Sequence, residues 1–401
     1  MRTRSLLVAV SLGSLVAAGL AGCGSTKKPQ PASLQTFTPT INASVAWKAD
    51  VGRSPKFDAG VGQFSPAVSG DSVFAASASG AVTRVSLADG RQIWRADVGA
   101  PIVAGVAVGS GASQGQSAVI TAKGEIVVIS AEGKVARQIP LGGVAHEIPA
   151  LLGNTVVVRL ADNRLAGWDI QTGTRRWVLQ RSLPPLVLQG QSGMRSAAQA
   201  PEEATTGVLG SADLLVNLPG GRLMWVDAST GNVRWESQVV TPRGSNEVER
   251  IVDLLGAPTA QGADVCVAAY QTGVSCLTAE KGQRLWLREL AVMSAVAADA
   301  RVVLVADDQS RIHALGRSDG KPLWSVDTLR LRNVGNPVAW GRAFWLTDRF
   351  GFLHAISKED GRMMARVSLD GGAVSGAMRL TQRGLVIQTQ GGQLLMIRSE
   401  G

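Results

Sequence analysis

The chain has 401 residues, of which 45% are hydrophobic, 18% charged and 4% aromatic, and its formal net charge is +9. This balance excludes a disordered chain and a protein filled with membrane spans, and it leaves enough apolar residues for a large core. The chain has only three Cys and three His, which leaves few ligands for metal or redox chemistry. Its basic residues form no long run, so no nucleic-acid partner is predicted.

The N-terminus has the layout of a secretory signal, in which two arginines precede an apolar run too short and too rich in small residues for a stable membrane span. The run ends in LAGC at 20–23, which resembles the lipobox of bacterial lipoproteins, where cleavage precedes the lipid-bearing Cys. We therefore predict a lipoprotein signal peptide over 1–22, lipidation of Cys23 and a polar, Pro-rich flexible tether over 23–40.

The residue after Cys23 bears on the destination of the lipoprotein. In the lipoproteins that the lipobox resembles, an Asp at this position favours retention in the inner membrane, whereas this chain has Gly24. We therefore expect a lipid-anchored protein on the periplasmic face of the outer membrane.

Residues 41–401 contain eight copies of one repeat. Ten of the chain's aromatic residues are Trp, and most of these occupy one place in the repeat, four residues after a Gly that closes each copy. The closing Gly residues are Gly90, Gly133, Gly173, Gly231, Gly282, Gly320, Gly361 and Gly401. Most copies span about 40 residues and contain short β-rich runs without helical periodicity, which is typical of a propeller blade.

The two ends of the chain complement each other. The last repeat stops at Gly401, where its outer strand should begin, while SVAWKAD at 44–50 matches the outer strand QIWRAD at 92–97. Pairing these ends would leave no open sheet edge. The predicted fold is therefore all-β, an eight-bladed β-propeller of quinoprotein-like (PQQ- and WD40-like) repeats over 41–401, closed by the N-terminal strand.

The repeat resembles a known motif. DASTGNVRW at 227–235 looks like the Asp-x-x-Thr-Gly-x-x-x-Trp motif of quinoprotein-type propeller repeats, and DIQTGTRRW at 169–177 is a second copy. In such repeats the Trp packs between neighbouring blades, where a large flat side chain fills the wedge that opens toward the rim. The resemblance implies a structural role for the repeat tryptophans: Trp47, Trp94, Trp177, Trp235, Trp286 and Trp324.

Two families share this ring. The quinone-cofactor dehydrogenases carry an adjacent Cys pair, calcium ligands and a longer chain, whereas Cys266 and Cys276 are separated in this chain and no blade offers a clustered acidic site. The lipobox, tether and eight blades are similar to the BamB family, the lipoproteins of the machinery that inserts β-barrels into the outer membrane. That resemblance implies a scaffold without catalytic residues, cofactor or metal, which binds the periplasmic domains of BamA and works with other BAM lipoproteins and unfolded outer-membrane proteins.

Two insertions interrupt the repeat spacing, at 183–207 and 240–258, and loops on a rigid scaffold often carry function. RGSNEVERIVD, which ends at Asp253, resembles the BamB segment that contacts BamA, although Leu255 replaces the family's second Asp. LVLQG resembles a Leu-x-Leu-Arg-Gly segment of the same surface, with Gln189 in the Arg position. The resemblance implies a partner-binding patch of Leu186, Leu188, Gln189, Arg250 and Asp253.

Some alternatives stay open on the sequence alone. The rival functions are a quinone-dependent periplasmic oxidoreductase and a ligand-sensing propeller. Cys266 and Cys276 would lie opposite each other and could form a disulfide if their hairpin loop has an odd number of residues, whereas a two-residue loop would place them on opposite faces. His146, His313 and His354 fall in different blades and are expected to be ordinary blade residues.

Overall fold

The structure, a computed structural model, describes residues 29–54, 63–182, 184–188, 193–196, 209–335 and 337–400. The chain divides into two compact units, residues 1–31 and 32–401, and the fold below is that of the second unit. The predicted signal peptide and Cys23 lie outside the described residues. No helix within the described ranges is both long and apolar enough to cross a membrane.

The described residues form 32 strands in eight four-stranded antiparallel sheets, and one short 3-10 helix, Gly111–Ser113. The strand β1 spans Asn42–Asp50. Blades 1 to 4 comprise β2 to β5 (Ala67–Ser69, Ser72–Ala76, Ala81–Ser86, Gln92–Asp97), β6 to β9 (Ala107–Val108, Ser117–Thr121, Glu125–Ile129, Val135–Pro140), β10 to β13 (Ala150–Leu152, Thr155–Arg159, Arg164–Asp169, Arg175–Gln180) and β14 to β17 (Met194–Ser196, Asp213–Leu218, Arg222–Asp227, Val233–Gln238).

Blades 5 to 8 follow in the same way. They comprise β18 to β21 (Leu254–Gln261, Asp264–Ala269, Gly273–Thr278, Arg284–Glu289), β22 to β25 (Ala297–Ala298, Val302–Ala306, Ile312–Gly316, Pro322–Val326), β26 to β29 (Val338–Trp340, Ala343–Thr347, Phe352–Ser357, Met363–Ser368) and, with β1, β30 to β32 (Arg379–Thr381, Gly384–Gln388, Gln393–Glu400). The first strand of each blade contacts the first strands of both neighbouring blades, and β30 contacts β2, so the eight inner strands form a closed ring.

The ring is closed as the sequence predicts. β1 pairs with β32 from Asn42 opposite Glu400 to Asp50 opposite Gln393, with one bulge before Trp47. The N-terminal strand is therefore the outer strand of the eighth blade, and the predicted eight-bladed all-β fold is confirmed.

The core is divided among the gaps between blades. Within the described residues, each pair of neighbouring blades encloses its own hydrophobic cluster, including the seam between blades 8 and 1. Central strands such as β3 and β7 are buried at every position because a blade covers each of their faces. Both faces are therefore filled with apolar or small residues, whereas outer strands such as β5 keep an exposed face.

Part of the predicted flexible tether over 23–40 is bound to the propeller in the structure. The N–H of Ala32 donates to Arg330 O at 2.9 Å, the guanidinium of Arg366 donates to Gln35 O at 3.1 Å, and the same guanidinium lies over the Phe37 ring. Residues 32–40 therefore lie along the seventh blade instead of forming a free linker, because the blade satisfies their backbone groups and covers their apolar side chains.

Candidate partner-binding site

Six repeat tryptophans each bridge two neighbouring blades. The indole Nε1 of each donates to a carbonyl oxygen of the following blade at 2.7 to 3.1 Å, and this oxygen belongs to the residue three positions before the closing Gly, or two positions before it at Ala131. These pairs are Trp47 with Leu87, Trp94 with Ala131, Trp177 with Ala228, Trp235 with Ala279, Trp286 with Arg317, and Trp324 with Lys358. The ring also lies directly on the closing Gly, as at Gly90, where an added Cβ would come within 2.6 Å of the Trp47 ring. The repeat motif thus builds a rigid ring.

The second blade departs from this pattern and has Arg137 in the Trp position. Its guanidinium donates to Thr172 O at 3.4 Å, and its stem covers Gly173. A long aliphatic stem with a donor at its tip therefore covers the closing Gly and bonds a nearby carbonyl oxygen, as an indole does in the other blades.

The cysteines form a disulfide. Cys266 and Cys276 lie directly opposite each other in β19 and β20 and are joined. The hairpin loop between these strands has three residues, 270–272. This is an odd number, for which the sequence allowed the two cysteines to lie opposite each other and form a disulfide. The bridge lies within blade 5, next to the second insertion.

Both predicted insertions have narrower limits than the sequence indicated. Met194–Ser196, within the predicted insertion 183–207, is the inner strand β14, and Leu254–Gln261, which begins inside 240–258, is the inner strand β18. Inner strands are short or bulged and have no clear alternation, so they resemble loop sequence. Leu255 is consequently buried in β18 and packs in the cluster around the disulfide.

The insertions lie on one face of the ring. After its outer strand, the chain passes the hairpin that joins the second and third strands of the same blade and then continues to the next inner strand. In blade 4, Val239 N donates to Gly221 O of this hairpin at 2.9 Å, and in blade 7 Leu369 N donates to Gly351 O at 2.8 Å. We call the surface formed by these connections and hairpins the connection face. The two insertions are consecutive connections on it, from blade 3 to 4 and from blade 4 to 5.

Asp253 joins the two insertions. One carboxylate oxygen accepts the backbone N–H of Leu188 at 2.6 Å, and the other accepts that of Gly220 at 2.8 Å. Only 4% of Asp253 is exposed, and burial raises the pKa of its carboxyl, although the two N–H donors oppose that shift. Asp253 is thus a buried bridge, and its predicted place on the partner surface is corrected.

A buried ion pair lies close to this bridge. Arg159 at the end of β11 binds Glu147 through both carboxylate oxygens, and both side chains are almost fully buried. Burial alone would lower the pKa of Arg159, but the carboxylates of Glu147 and Asp253 raise it. The base of the insertions is therefore a compact charged network, in which removal of one member leaves another charge uncompensated.

The remaining predicted residues have different environments. Leu188 is half-buried and packs against the cluster of blades 5 and 6, so it anchors the first insertion. Leu186 is 44% exposed, and Arg250 is exposed on the second insertion. Gln189 lies outside the described residues. The structure thus brings the two insertions together, and of the four described residues of the predicted patch only Leu186 and Arg250 are exposed to solvent.

Three exposed apolar residues were missed by the sequence analysis. Val144, Val248 and Met293 are exposed in connections of this face, and with Leu186 they occupy four consecutive connections, from blade 2 to blade 6. Val248 is 68% exposed although it is flanked by Glu247 and Glu249. An apolar residue isolated in a charged loop was the signal that could have identified it.

The loop that carries Val248 is held by its own hydrogen bonds. The carboxylate of Glu249 accepts the N–H of Ser245 at 2.8 Å, the hydroxyl of the same serine at 2.9 Å and the amide of Asn246 at 2.9 Å. The N–H and hydroxyl of Ser245 lower the pKa of the Glu249 carboxyl. Arg250 donates to Gly244 O at 3.2 Å. The turn is closed internally, and the side chain of Val248 is presented outward from it.

The fold and site define an eight-bladed propeller of the quinoprotein-repeat class, with exposed apolar residues on four consecutive connections of one face. The family model described as "Outer membrane protein assembly factor BamB" matches residues 40–111 and 78–326. The assembly factor BamB of Burkholderia pseudomallei is 35% identical over 93% of both chains, and that of Bordetella pertussis is 34% identical over 98% of this chain and 96% of its own. The chain belongs to the BamB family.

A solved structure agrees with this fold. The crystal structure of BamB from Moraxella catarrhalis superposes with a TM-score of 0.76 at 20% identity, and the match covers 89% of this chain and all of that one.

Proposed function

We propose that the protein is a scaffold lipoprotein of the outer-membrane β-barrel assembly machinery and that its connection face binds the periplasmic domains of BamA. In this role it assists the folding and insertion of outer-membrane proteins. Other BAM lipoproteins and unfolded outer-membrane proteins are its further partners. The protein is located at the periplasmic face of the outer membrane, where a lipid on Cys23 anchors it.

One observation carries the assignment of the binding surface. Asp253 fixes the two insertions against each other, and Leu186 on the first insertion and Val248 on the second are exposed. An apolar patch with charged neighbours on a rigid base is typical of a protein interface, because burial of the patch is favourable and little order is lost on binding. Family membership supports the choice of BamA as the partner.

The same family membership separates this role from the oxidoreductase alternative. The curated relatives are named as assembly factors, and the propeller shared with quinone-dependent dehydrogenases is a likeness of fold. The protein is accordingly a scaffold and not an enzyme. Fold alone assigns no chemistry to a site.

Affinity capture from detergent-solubilised envelopes tests the partner surface. A Leu186→Asp/Val248→Asp variant should retain less BamA, since a charge in a desolvated interface centre costs about 2 kcal/mol or more, about thirtyfold in affinity. Leu323→Asp is the matched control, because Leu323 is also exposed but lies on the outer strand β25. Equal capture by both variants, with folding verified, would place the interface elsewhere.

The anchor has a separate test. Cys23→Ser removes the thiol that accepts the lipid, so the variant should leave the outer-membrane fraction or keep its signal peptide. Continued fractionation with the outer membrane would contradict the lipoprotein assignment without affecting the partner surface.

A further inference from the structure

The inner strands surround a central cavity of about 200 Å³. Residues of β14, β18, β22, β26 and β30 line it, together with residues just before β2 and β10. That volume holds several water molecules or a small anion. Most of the wall is formed by small or apolar residues, so the few charged side chains dominate its electrostatics.

Two guanidinium groups enter this cavity from opposite sides. Arg195 lies on β14 of blade 4 and Arg379 on β30 of blade 8, four blades apart in the ring. The Nε of Arg195 is buried and has no hydrogen-bond partner. Arg379 is held in place by the bond from its Nε to Pro66 O at 3.1 Å.

The carboxylates of the cavity wall are already paired. Glu147 binds Arg159, and Asp299 accepts from Lys358 at 3.0 Å and from the N–H groups of Arg301 and Val302. Among the described residues, neither Arg195 nor Arg379 has a carboxylate partner. Two like charges therefore share a confined space without compensation.

The protonation equilibria follow from this arrangement. Burial and, to a smaller extent, the positive charge of Arg379 together lower the pKa of Arg195 to about 10. Burial also lowers the pKa of Arg379. Both groups stay protonated at neutral pH, and the cost of holding them together is relieved by any anion that binds between them.

We propose that the central cavity is a binding site for a small multivalent oxyanion, of phosphate or polycarboxylate type, held between Arg195 and Arg379. Guanidinium groups bind such oxyanions through paired, charge-assisted hydrogen bonds. The buried Nε of Arg195 supplies an unused donor, and the apolar walls strengthen the attraction by excluding water. None of the exposed residues Leu186, Val248 and Arg250 lines the cavity, so the test of this site is distinct from the test of BamA binding.

Isothermal titration with inorganic phosphate and with citrate tests the site, in chloride buffer at constant ionic strength and pH 7.5. The wild-type protein should bind at least one of them at one site per chain. Arg195→Gln and Arg379→Gln should each weaken that binding at least about tenfold, the loss expected for one charge-assisted hydrogen bond. Arg398→Gln, at an exposed position of β32, is the matched control and should bind as the wild type does.

The two probes and a conservative variant complete the test. Tighter phosphate binding identifies a phosphate-type ligand, and tighter citrate binding a polycarboxylate. Arg195→Lys keeps the charge and should retain part of the affinity. Its partial binding, compared with the loss in Arg195→Gln, distinguishes removal of the charge from misfolding of the variant. Absence of saturable binding to the wild type, or equal affinity in the wild type and the Arg195→Lys and Arg195→Gln variants, would overturn the proposal.

Discussion

The backbone N–H of Leu188 donates to the carboxylate of Asp253 at 2.6 Å, across 65 residues of sequence. This bond joins two loops that follow different blades, and a second bond from Gly220 fixes the carboxylate in place. The geometry of the candidate interface therefore depends on a side chain that is itself buried.

The first prediction concerns this bridge. Asp253→Asn leaves a single acceptor for two backbone donors, so the variant should lose about 1–3 kcal/mol of unfolding free energy, the cost of one unsatisfied buried N–H. Hydrogen exchange at the Leu188 amide should accelerate. Denaturant unfolding and exchange measure the two effects, and Asp71→Asn, at an exposed position, should stay within about 0.5 kcal/mol of the wild type. Unchanged protection of Leu188 would contradict the bridge.

The second prediction concerns the contact between Trp and the closing Gly. Gly320 has φ +67°, and an added Cβ would lie 2.5 Å from the Trp286 ring. Gly341 has φ +56° with open space around it, so its Ala variant should lose only the roughly 1–2 kcal/mol of the left-handed conformation. Gly320→Ala should lose about 1–3 kcal/mol more because the indole must move. Equal losses in urea unfolding would show that the tryptophan contact is loose.

The third prediction concerns the seam of the ring. Trp47 lies on β1 of blade 8 and donates to Leu87 O of blade 1 at 3.1 Å. Trp47→Ala should lower the unfolding free energy by about 3–5 kcal/mol, as for other buried aromatic truncations. Trp47→Phe keeps most of the contact area and loses one hydrogen bond, so its loss should be smaller. If both variants unfold at the wild-type denaturant concentration, the seam does not limit stability.

The fourth prediction concerns acid. One oxygen of the buried Asp348 accepts from Arg332 Nε at 2.7 Å and from His354 Nε2 at 3.0 Å. Burial lowers the pKa of His354 below its ordinary value of 6.5, although Asp348 opposes the shift. The unfolded chain then binds a proton that the folded protein does not, so stability is constant above about pH 6.5 and falls as the pH drops below it.

The pKa of Asp348 is also lowered, because the bonds from His354, Phe352 N–H and Arg332 outweigh the effect of its burial, and its contribution is lost only in stronger acid, below its ordinary value of 3.8. Urea unfolding between pH 7.5 and 5 should show the loss from His354, and His354→Gln should reduce the slope over that interval. An identical slope in the variant would assign the acid sensitivity to other groups.

The blade architecture could be predicted because its signals are local and repeated. The closing Gly and the Trp four residues later recur in register, and the unmatched strand near Trp47 indicated how the ring closes. The limits of the insertions could not be predicted, because an inner strand such as Met194–Ser196 is too short to show a period. The burial of Asp253 could not be predicted either, because a carboxylate in a polar loop is normally expected to be exposed. The backbone N–H groups that bind it belong to Leu188 and Gly220, which are distant in sequence.

Site-specific photocrosslinking in cells tests the central claim most directly. A photoreactive side chain at position 186 or 248 should crosslink to BamA, whereas the same group at position 323, on an outer strand, should not. Crosslinks to BamA from 323, with none from 186 or 248, would contradict binding through the connection face.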